Sequence, residues 1–463
     1  MTLQLPRKAA RLISFFKTHR YECYVVGGYV RDSLLNQNAN HRGMDFTTNA
    51  TPEQIQQLFP DSEYTNRFGT VIIPLSKAFE KLKLAADEFE PHDFFEVTTY
   101  RSESSYTDNR HPDTITWGTR LEDDLSRRDF TINALASDGE QIIDLYNGLD
   151  DIKSKVIRTV GNPKERFSED ALRIMRAIRF ATQLSFSIEP ATLEALTAHA
   201  QLLALISSER IRDELLKILA SNNASQGVLL MKDTGVLNYV LPELYPTWGS
   251  EQKSPKRHHI YDVGTHLIKA LEACTNPDPI VRLACLLHDV GKPKTRVVQP
   301  DGVVTFYNHE LVSTEIAFDI GKRLHFSKRD LIKLTKLVRY HQFTVDEHQT
   351  DSAIRRVIRN VGKEYIYDLL DLRVADRIGS GSTPDSWRLQ LFKKRIEEVQ
   401  QQPFSVRDLK IRGNDVMEAL HIPSGPQVGT LLETLFKEVS EQKLENTREA
   451  LLNRLTQLPH TAQ

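Results

Sequence analysis

The sequence is short of cysteine, tryptophan and methionine, which number three, three and five among 463 residues. Cys23, Cys274 and Cys285 stand far apart in mainly apolar surroundings. Neither a disulfide framework nor a paired-cysteine metal site is available, and a reducing compartment is the natural setting. Long hydrophobic runs are missing too, since no stretch approaches the roughly 18 apolar residues of a membrane span. Residues 1–16 lack the apolar core and small-residue cleavage site of a secretory signal, so the expectation is an unprocessed, cytoplasmic protein with no membrane partner. Neither sign of charge is in excess: 60 Lys and Arg face 62 Asp and Glu, a net charge of -2. Any nucleic acid must therefore be held by a local patch rather than by a global field. With 26% charged and 40% hydrophobic residues, disordered and low-complexity classes are excluded. The length predicts roughly three domains at about 150 residues each.

Strand signals are confined to the first part of the chain. Apolar residues recur at helical spacing from Ala9 to Lys17, and Tyr24-Val25-Val26 then runs into Gly27-Gly28. This reads as a strand ending in a tight turn, with a helix predicted from Val30 to Leu35. Further β-rich runs occur at Gly69 to Pro74, Phe94 to Tyr100 and Thr114 to Trp117, and the charged stretch Lys77 to Pro91 predicts an inserted helix. After Asp151 helical periodicity takes over, as in Glu169 to Gln183, Ile188 to Leu205 and Glu209 to Ala220. Breaks fall at Pro246 to Pro255 and near Gly379 to Pro384. The expected class is α+β, with domains over 1–150, 151–245, 246–385 and 386–463.

Glycines after a strand let backbone N–H groups approach a polyphosphate closely, because no side chain intervenes. Gly27-Gly28-Tyr29-Val30-Arg31-Asp32 has that form. It is followed by Asp45-Phe46-Thr47-Thr48, by Phe95-Glu96-Val97-Thr98-Thr99-Tyr100-Arg101, and by Arg127-Arg128-Asp129-Phe130-Thr131-Ile132-Asn133-Ala134-Leu135. Arg127 and Arg128 read as phosphate contacts, since adjacent guanidiniums can clasp a triphosphate.

In this order the segments resemble the class II tRNA nucleotidyltransferase and bacterial poly(A) polymerase family, and the similarity continues through Arg166-Phe167-Ser168-Glu169-Asp170-Ala171-Leu172-Arg173 and on to Arg176 and Arg179. The resemblance implies a polymerase-β-like head in which carboxylates hold Mg2+ ions that activate an RNA 3′-hydroxyl and carry the triphosphate. It assigns Asp45 and Glu96 to the metal and to catalysis, and Gly27, Gly28, Arg31, Arg127, Arg128, Asp129 and Asn133 to the nucleotide. The family carries an aspartate two positions before Asp45, where this chain has Gly43. Loss of that ligand predicts impaired catalysis, with Asp32 a further carboxylate in the neighbourhood.

Ser168 is placed to cap a helix whose first turn carries Glu169 and Asp170, and Asp170 and Arg173, three apart, then share a face. A carboxylate beside a guanidinium matches the edge of cytosine or adenine, accepting from the exocyclic amine and donating to a ring acceptor. In the family that this chain resembles, the Glu-Asp-x-x-Arg pattern is the nucleotide template. Arg176, Arg179, Arg210 and Arg212 add positive charge suited to phosphates.

A third constellation resembles the HD phosphohydrolase superfamily. His288-Asp289 follows an apolar helical run, with His266 upstream and Asp376 downstream. The resemblance makes these four metal ligands, and His309 and His341 fit the additional ligands of two-metal members. Imidazole and carboxylate suit Mn, Fe, Ni or Zn. His258 and His259 have no assigned partner. The tail, Leu409 to Leu452, resembles a segment that grips the tRNA body.

The reading that follows is an enzyme that adds or repairs the 3′-terminal CCA of tRNA with CTP, ATP and Mg2+, joined to an HD module acting on phosphorylated or cyclic RNA ends. The alternatives are a poly(A) polymerase, disfavoured by the lack of a basic tail, a CC-only or A-only adding enzyme, and a metal phosphohydrolase with an inactive head.

Overall fold

The computed structural model describes residues 2–36, 44–64, 69–85, 87–104, 114–252, 261–343, 349–384, 386–400, 406–441 and 443–459. Gly43, His258 and His259 lie outside the described residues. The chain forms two compact units, Met1–Pro242 with Arg323–Phe326, and Glu243–Lys322 with Ser327–Gln463.

Among the described residues the head of the first unit holds nine strands: β1 (Cys23–Val26), β2 (Asp45–Thr48), β3 (Glu63–Tyr64), β4 (Thr70–Pro74), β5 (Phe94–Thr99), β6 (Arg101–Ser104), β7 (Thr114–Trp117), β8 (Leu135–Ser137) and β9 (Ile142–Asp144). Seven of them form one sheet in the order β3-β4-β5-β2-β1-β8-β9, and β6 and β7 pair separately. β2 and β5 run parallel, with Asp45 beside Glu96, while β1 pairs antiparallel with β2 and β8. The pattern of β5 shows why. Phe95, Val97 and Thr99 are buried and alternate with Phe94, Glu96 and Thr98, the period-two signature of a strand with one covered face. The helix Arg7–Thr18 contributes Ala9, Leu12, Ile13 and Phe16 to the same core, a helical stripe matched to the sheet. Phe46 and Phe95 meet edge to face at 5.2 Å.

The helix after β1 spans Gly28–Leu34, two residues earlier than its sequence pattern predicts. Gly27 makes the whole turn with a φ of 73°, which frees Gly28 to open the helix. The inserted helix is Leu75–Leu82, shorter than Lys77 to Pro91 predicts, because Lys83 adopts a left-handed conformation and closes it.

Ser168 is not a helix cap. The helix Pro163–Glu169 starts at Asn162, whose side chain accepts from the Lys164 N–H, so Asn-Pro supplies the stronger start signal. Ser168 falls in its last turn. Asp170 then takes the Leu172 N–H at 3.0 Å, which separates this helix from Leu172–Leu184. The helices Pro190–His199, Ser208–Leu219 and Ala224–Asp233 follow. Strand pairing does not end at Asp151: Val156–Ile157 pairs with Ser187–Ile188, and Val297–Val298 with Val304–Thr305.

In the second unit the helix Ile366–Gly379 lies directly on Val263–Ala273. A Cβ on Gly379 would stand 2.7 Å from the Ala270 amide nitrogen, so the absence of a side chain sets how closely these helices approach. The helices Pro279–Leu287 and Lys328–Tyr340 complete the packing around them. The tail helices Gly413–Leu420, Pro426–Ser440 and Arg448–Leu455 share a small core that includes Val416, Leu435 and Leu451.

Candidate functional site

Adjacent parallel strands bring Asp45 and Glu96 side by side. Desolvation raises the carboxyl pKa of Asp45, which Arg128 opposes and Asp124 reinforces. Glu96 is raised by desolvation and then by the charge of Asp45. Two carboxylates that repel each other and resist ionisation form a site whose charge a cation would relieve.

The arginines predicted to meet phosphate are anchored by a residue that the sequence reading missed. Asp124 is fully buried, and its two oxygens accept separately from Arg127 Nε at 3.1 Å and Arg128 Nη2 at 3.1 Å. Burial alone would lift this carboxyl, but the two guanidiniums hold it below the usual value. The signal was the i,i+3 and i,i+4 spacing from Asp124 to Arg127 and Arg128. A Cβ on Gly27 would lie 2.9 Å from Arg128 Nη1, so the glycine turn and the anchored arginine share one space. Asp32 is tied to Arg31 at 2.6 Å, which places it in a local ion pair.

From Arg31 a buried relay runs inward. Arg31 Nη1 donates to Asn133 Oδ1 at 2.6 Å, Asn133 Nδ2 donates to Asp129 Oδ1 at 3.0 Å, and Arg176 Nε donates to Asp129 Oδ2 at 2.7 Å. Burial opposes the charge of Asp129, yet Arg176 and Asn133 bring its pKa down to about 2. Arg31, Arg176 and Arg179 all lie over the Phe180 ring, at 4.9, 5.4 and 4.3 Å from its centroid. Arg179 also pairs with buried Glu214 at 2.8 Å, a partner absent from the sequence reading.

Asp170 and Arg173 do not pair with each other. Arg173 donates to Glu169 Oε2 at 2.7 Å and to the carbonyls of Arg166 at 3.1 Å and Arg127 at 2.8 Å. Asp170 instead accepts from Arg210 Nη2 at 3.0 Å. The break between the two helices at Asp170 is the cause, since it removes the helical register that the i,i+3 spacing assumed.

The second unit gathers all six predicted HD residues. His266 comes from the helix Val263–Ala273, His288 and Asp289 from the C-terminal end of Pro279–Leu287 rather than its interior, and Asp376 from Ile366–Gly379. Asp289 is shared between two groups. Its Oδ2 lies 3.3 Å from His266 Nε2 and 3.4 Å from His288 Nε2, and its Oδ1 lies 3.0 Å from His309 Nε2 and 3.5 Å from His341 Nε2. Asp376 Oδ1 completes the first group at 3.3 Å from His266. Nδ1 of His288, His309 and His341 lies 2.8, 2.7 and 2.7 Å from the carbonyls of Cys285, Phe306 and Val338. These contacts place a proton on each Nδ1 and leave Nε2 facing inward as the atom that would give its lone pair to a metal. Nε2 of His309 and His341 is buried and makes no hydrogen bond. The residues present therefore fit a metal: donors of the right chemistry converge, and two are orphaned without one. Lys292 Nζ, buried, sits 2.6 Å from Asp289 Oδ2. Burial lowers the His288 pKa, but Asp289 and Asp376 overcome it and push it up to about 10. A cavity of about 810 Å³ opens beside this centre, with Arg339, Arg373, Arg377 and Tyr307 on its walls.

A Poly A polymerase head domain family matches residues 23–158, a probable RNA and SrmB-binding site of polymerase A matches 185–246, and a putative tRNA nucleotidyltransferase domain 2 matches 314–455. The CCA-adding enzyme of Ligilactobacillus salivarius is 31% identical over 455 residues, which cover 98% of this chain and 96% of that protein. The chain belongs to the CCA-adding enzyme family. The Lactococcus lactis CCA-adding enzyme is 33% identical over 439 residues, 94% of this chain and 92% of that one. With the CCA-adding enzyme of Levilactobacillus brevis, 46% identity extends over 222 residues, 47% of this chain and about half of that protein (51%). Among solved structures, the Bacillus stearothermophilus CCA-adding enzyme in complex with CTP matches with a TM-score of 0.70 and 27% identity over 98% of each chain. The likeness to the Ligilactobacillus salivarius, Lactococcus lactis and Bacillus stearothermophilus proteins extends through both units. Among the described residues no helix is long and apolar enough to cross a membrane.

Proposed function

We propose that this protein adds or repairs the 3′-terminal CCA of tRNA in the cytoplasm, by nucleotidyl transfer from CTP and ATP without a nucleic-acid template. The observation that carries the reading is the juxtaposition of Asp45 and Glu96 in register on parallel strands. These two carboxylates would hold Mg2+, which lowers the pKa of the attacking 3′-hydroxyl and neutralises charge on departing pyrophosphate. Gly27 and Gly28 leave room for the triphosphate, and Arg127 and Arg128, braced by Asp124, meet its oxygens. Arg31, Asn133, Asp129, Arg176 and Arg179 form the floor that keeps the nucleotide pocket rigid. Asp170 accepts the exocyclic amine shared by cytosine and adenine, and Arg173 donates to the neighbouring ring acceptor. The test is incorporation of labelled CTP and ATP into tRNA lacking its CCA end, with Mg2+. Incorporation lost in Asp45→Asn and Glu96→Gln is the expected result, and no incorporation despite tight tRNA binding overturns the reading.

A second activity is supported by the orphaned His309 and His341 nitrogens. His266, His288, Asp289, His309, His341 and Asp376 would hold one or two ions of Mn, Fe, Ni or Zn. Such an ion, when bound, would lower the pKa of a water so that it gives up a proton and the resulting hydroxide can attack a phosphate ester. Asp289 bridges the two donor groups, Lys292 fixes Asp289, and the cavity arginines receive the phosphate of an RNA end. Release of phosphate from a 2′,3′-cyclic or 3′-phosphorylated end, lost in His288→Ala, tests this. Hydrolysis that survived His288→Ala and Asp289→Ala would refute the assignment.

A further inference from the structure

The carboxylate of Asp170 is gripped from two sides. Oδ1 accepts the Leu172 backbone N–H at 3.0 Å, and Oδ2 accepts Nη2 of Arg210 at 3.0 Å. Arg210 stands in the first turn of the helix Ser208–Leu219, where a cation is disfavoured by the positive end of the helix dipole. Its other terminal nitrogen, Nη1, is buried and makes no hydrogen bond.

That orphaned nitrogen is informative. Guanidinium and carboxylate prefer a two-pronged pair, which would satisfy both nitrogens. Arg210 instead reaches Oδ2 alone while the Leu172 N–H takes one acceptor position of Oδ1, and the unpaired Nη1 is left buried at a cost. The one-pronged geometry has a consequence for ligand binding. An ionised carboxylate offers about four acceptor positions, so one grip on each oxygen leaves two positions unused and fixes where they point. Arg173 does not hold Asp170: its Nη1 donates to Glu169 and the Arg166 carbonyl and its Nη2 to the Arg127 carbonyl, with the second Nη2 hydrogen left for the base.

We propose that Arg210 is a positioning residue for base selection. By holding Oδ2 it aims the remaining acceptor positions of Asp170 at the exocyclic amine of cytosine or adenine. The keto oxygen that uracil or guanine places there meets an acceptor and is repelled. This inference rests on the reading above in which Asp170 contacts the base.

Calorimetric binding of CTP, ATP, UTP and GTP to the full chain tests it, and requires no turnover. Arg210→Ala is expected to weaken CTP and ATP binding about tenfold, the worth of a charge-assisted hydrogen bond held in place, and to leave UTP and GTP unchanged. Arg210→Lys, which keeps the charge and one donor, is expected to recover most of the preference. Equal weakening of all four nucleotides with a lowered melting temperature marks a structural role and overturns the proposal, as does unaltered preference in Arg210→Ala. If the alanine variant does not fold, Arg210→Gln replaces it, with loss of preference expected and retained preference again overturning the proposal. Asp170→Ala separates the two claims. Should it keep the preference for CTP and ATP, the assignment of Asp170 to the base fails, and this proposal with it. Should it lose that preference while Arg210→Ala keeps it, the role of Arg210 alone fails.

Discussion

Asp45 on β2 and Glu96 on β5 are register partners across a parallel strand pair, and the charge of Asp45 adds to desolvation in raising the Glu96 carboxyl. Like charges placed directly opposite on neighbouring strands destabilise a sheet. Here the arrangement leaves the head with an electrostatic debt that a divalent cation discharges.

The pH dependence of Mg2+ binding follows. Both carboxyl groups have raised pKa values in the folded protein, so their ionisation opposes folding above that range, and Mg2+ binds the ionised pair. Saturating Mg2+ at pH 7.5 is expected to stabilise the head by on the order of 1–3 kcal/mol. The increment shrinks as pH falls toward the raised carboxyl range, where protons compete with the metal. Thermal melts with and without Mg2+ at pH 5, 6 and 7.5 measure this. An increment independent of pH, or one that persists in Asp45→Asn, contradicts the assignment.

Gly43 supplies a gain-of-function test. The family resemblance expects an aspartate at this position, and a lost metal ligand costs at least the 10- to 100-fold typical of weaker perturbations around a metal. Gly43→Asp is expected to raise CTP incorporation by about 100-fold. Equal rates in the two proteins would show that Asp45 and Glu96 suffice.

Much of this was legible in the sequence, for physical reasons that differ by residue. Glu96 stands in a strand whose period-two pattern is a local signal, but the metal roles of Asp45 and Glu96 came from the family resemblance, and Arg127-Arg128, at the end of the helix Leu121–Ser126, were legible as an adjacent guanidinium pair. His266, His288, Asp289 and Asp376 are far apart in sequence, and only a recognised pattern, not periodicity, could bring them together. The template failed locally. An i,i+3 argument for Asp170 and Arg173 presumes an unbroken helix, and Asp170 breaks it by capping Leu172 with its own side chain. Asp124 and Glu214 were missed because a buried acid that neutralises arginines looks, in sequence, like any solvated charge.

Gly27 is the position at which a single methyl group is expected to separate binding from folding. Its φ of 73° is unfavourable for alanine, and the new Cβ would meet Arg128 Nη1 at 2.9 Å. With ψ at -133° the position is outside the left-handed helical region, and the backbone term costs about 1–3 kcal/mol, too little to unfold the head. Arg128, however, must move from Asp124 and from the phosphates. Gly27→Ala should therefore raise KM for both CTP and ATP about tenfold, with a melting temperature only a few degrees lower. Gly28→Ala is the contrast, since its Cβ would find only Arg31 Nη2 at an ordinary 3.6 Å. Equal effects from the two substitutions would remove Arg128 from the explanation.

The sharing of Asp289 between two imidazole pairs makes the stoichiometry of the buried centre testable. Metal content of the purified chain, measured by elemental analysis after dialysis, is expected at one to two transition-metal ions. Asp289→Ala should abolish both, because each donor group loses its common carboxylate, whereas His309→Ala should remove only the ion beside His341. Binding should also release protons and weaken toward acid pH, since Asp289 and Asp376 hold a proton on His288 with a pKa pushed up to about 10 that the ion must displace. If His309→Ala and Asp289→Ala lose metal equally, the centre holds a single ion. If neither loses any, the convergence of histidines is a packed core that holds no metal.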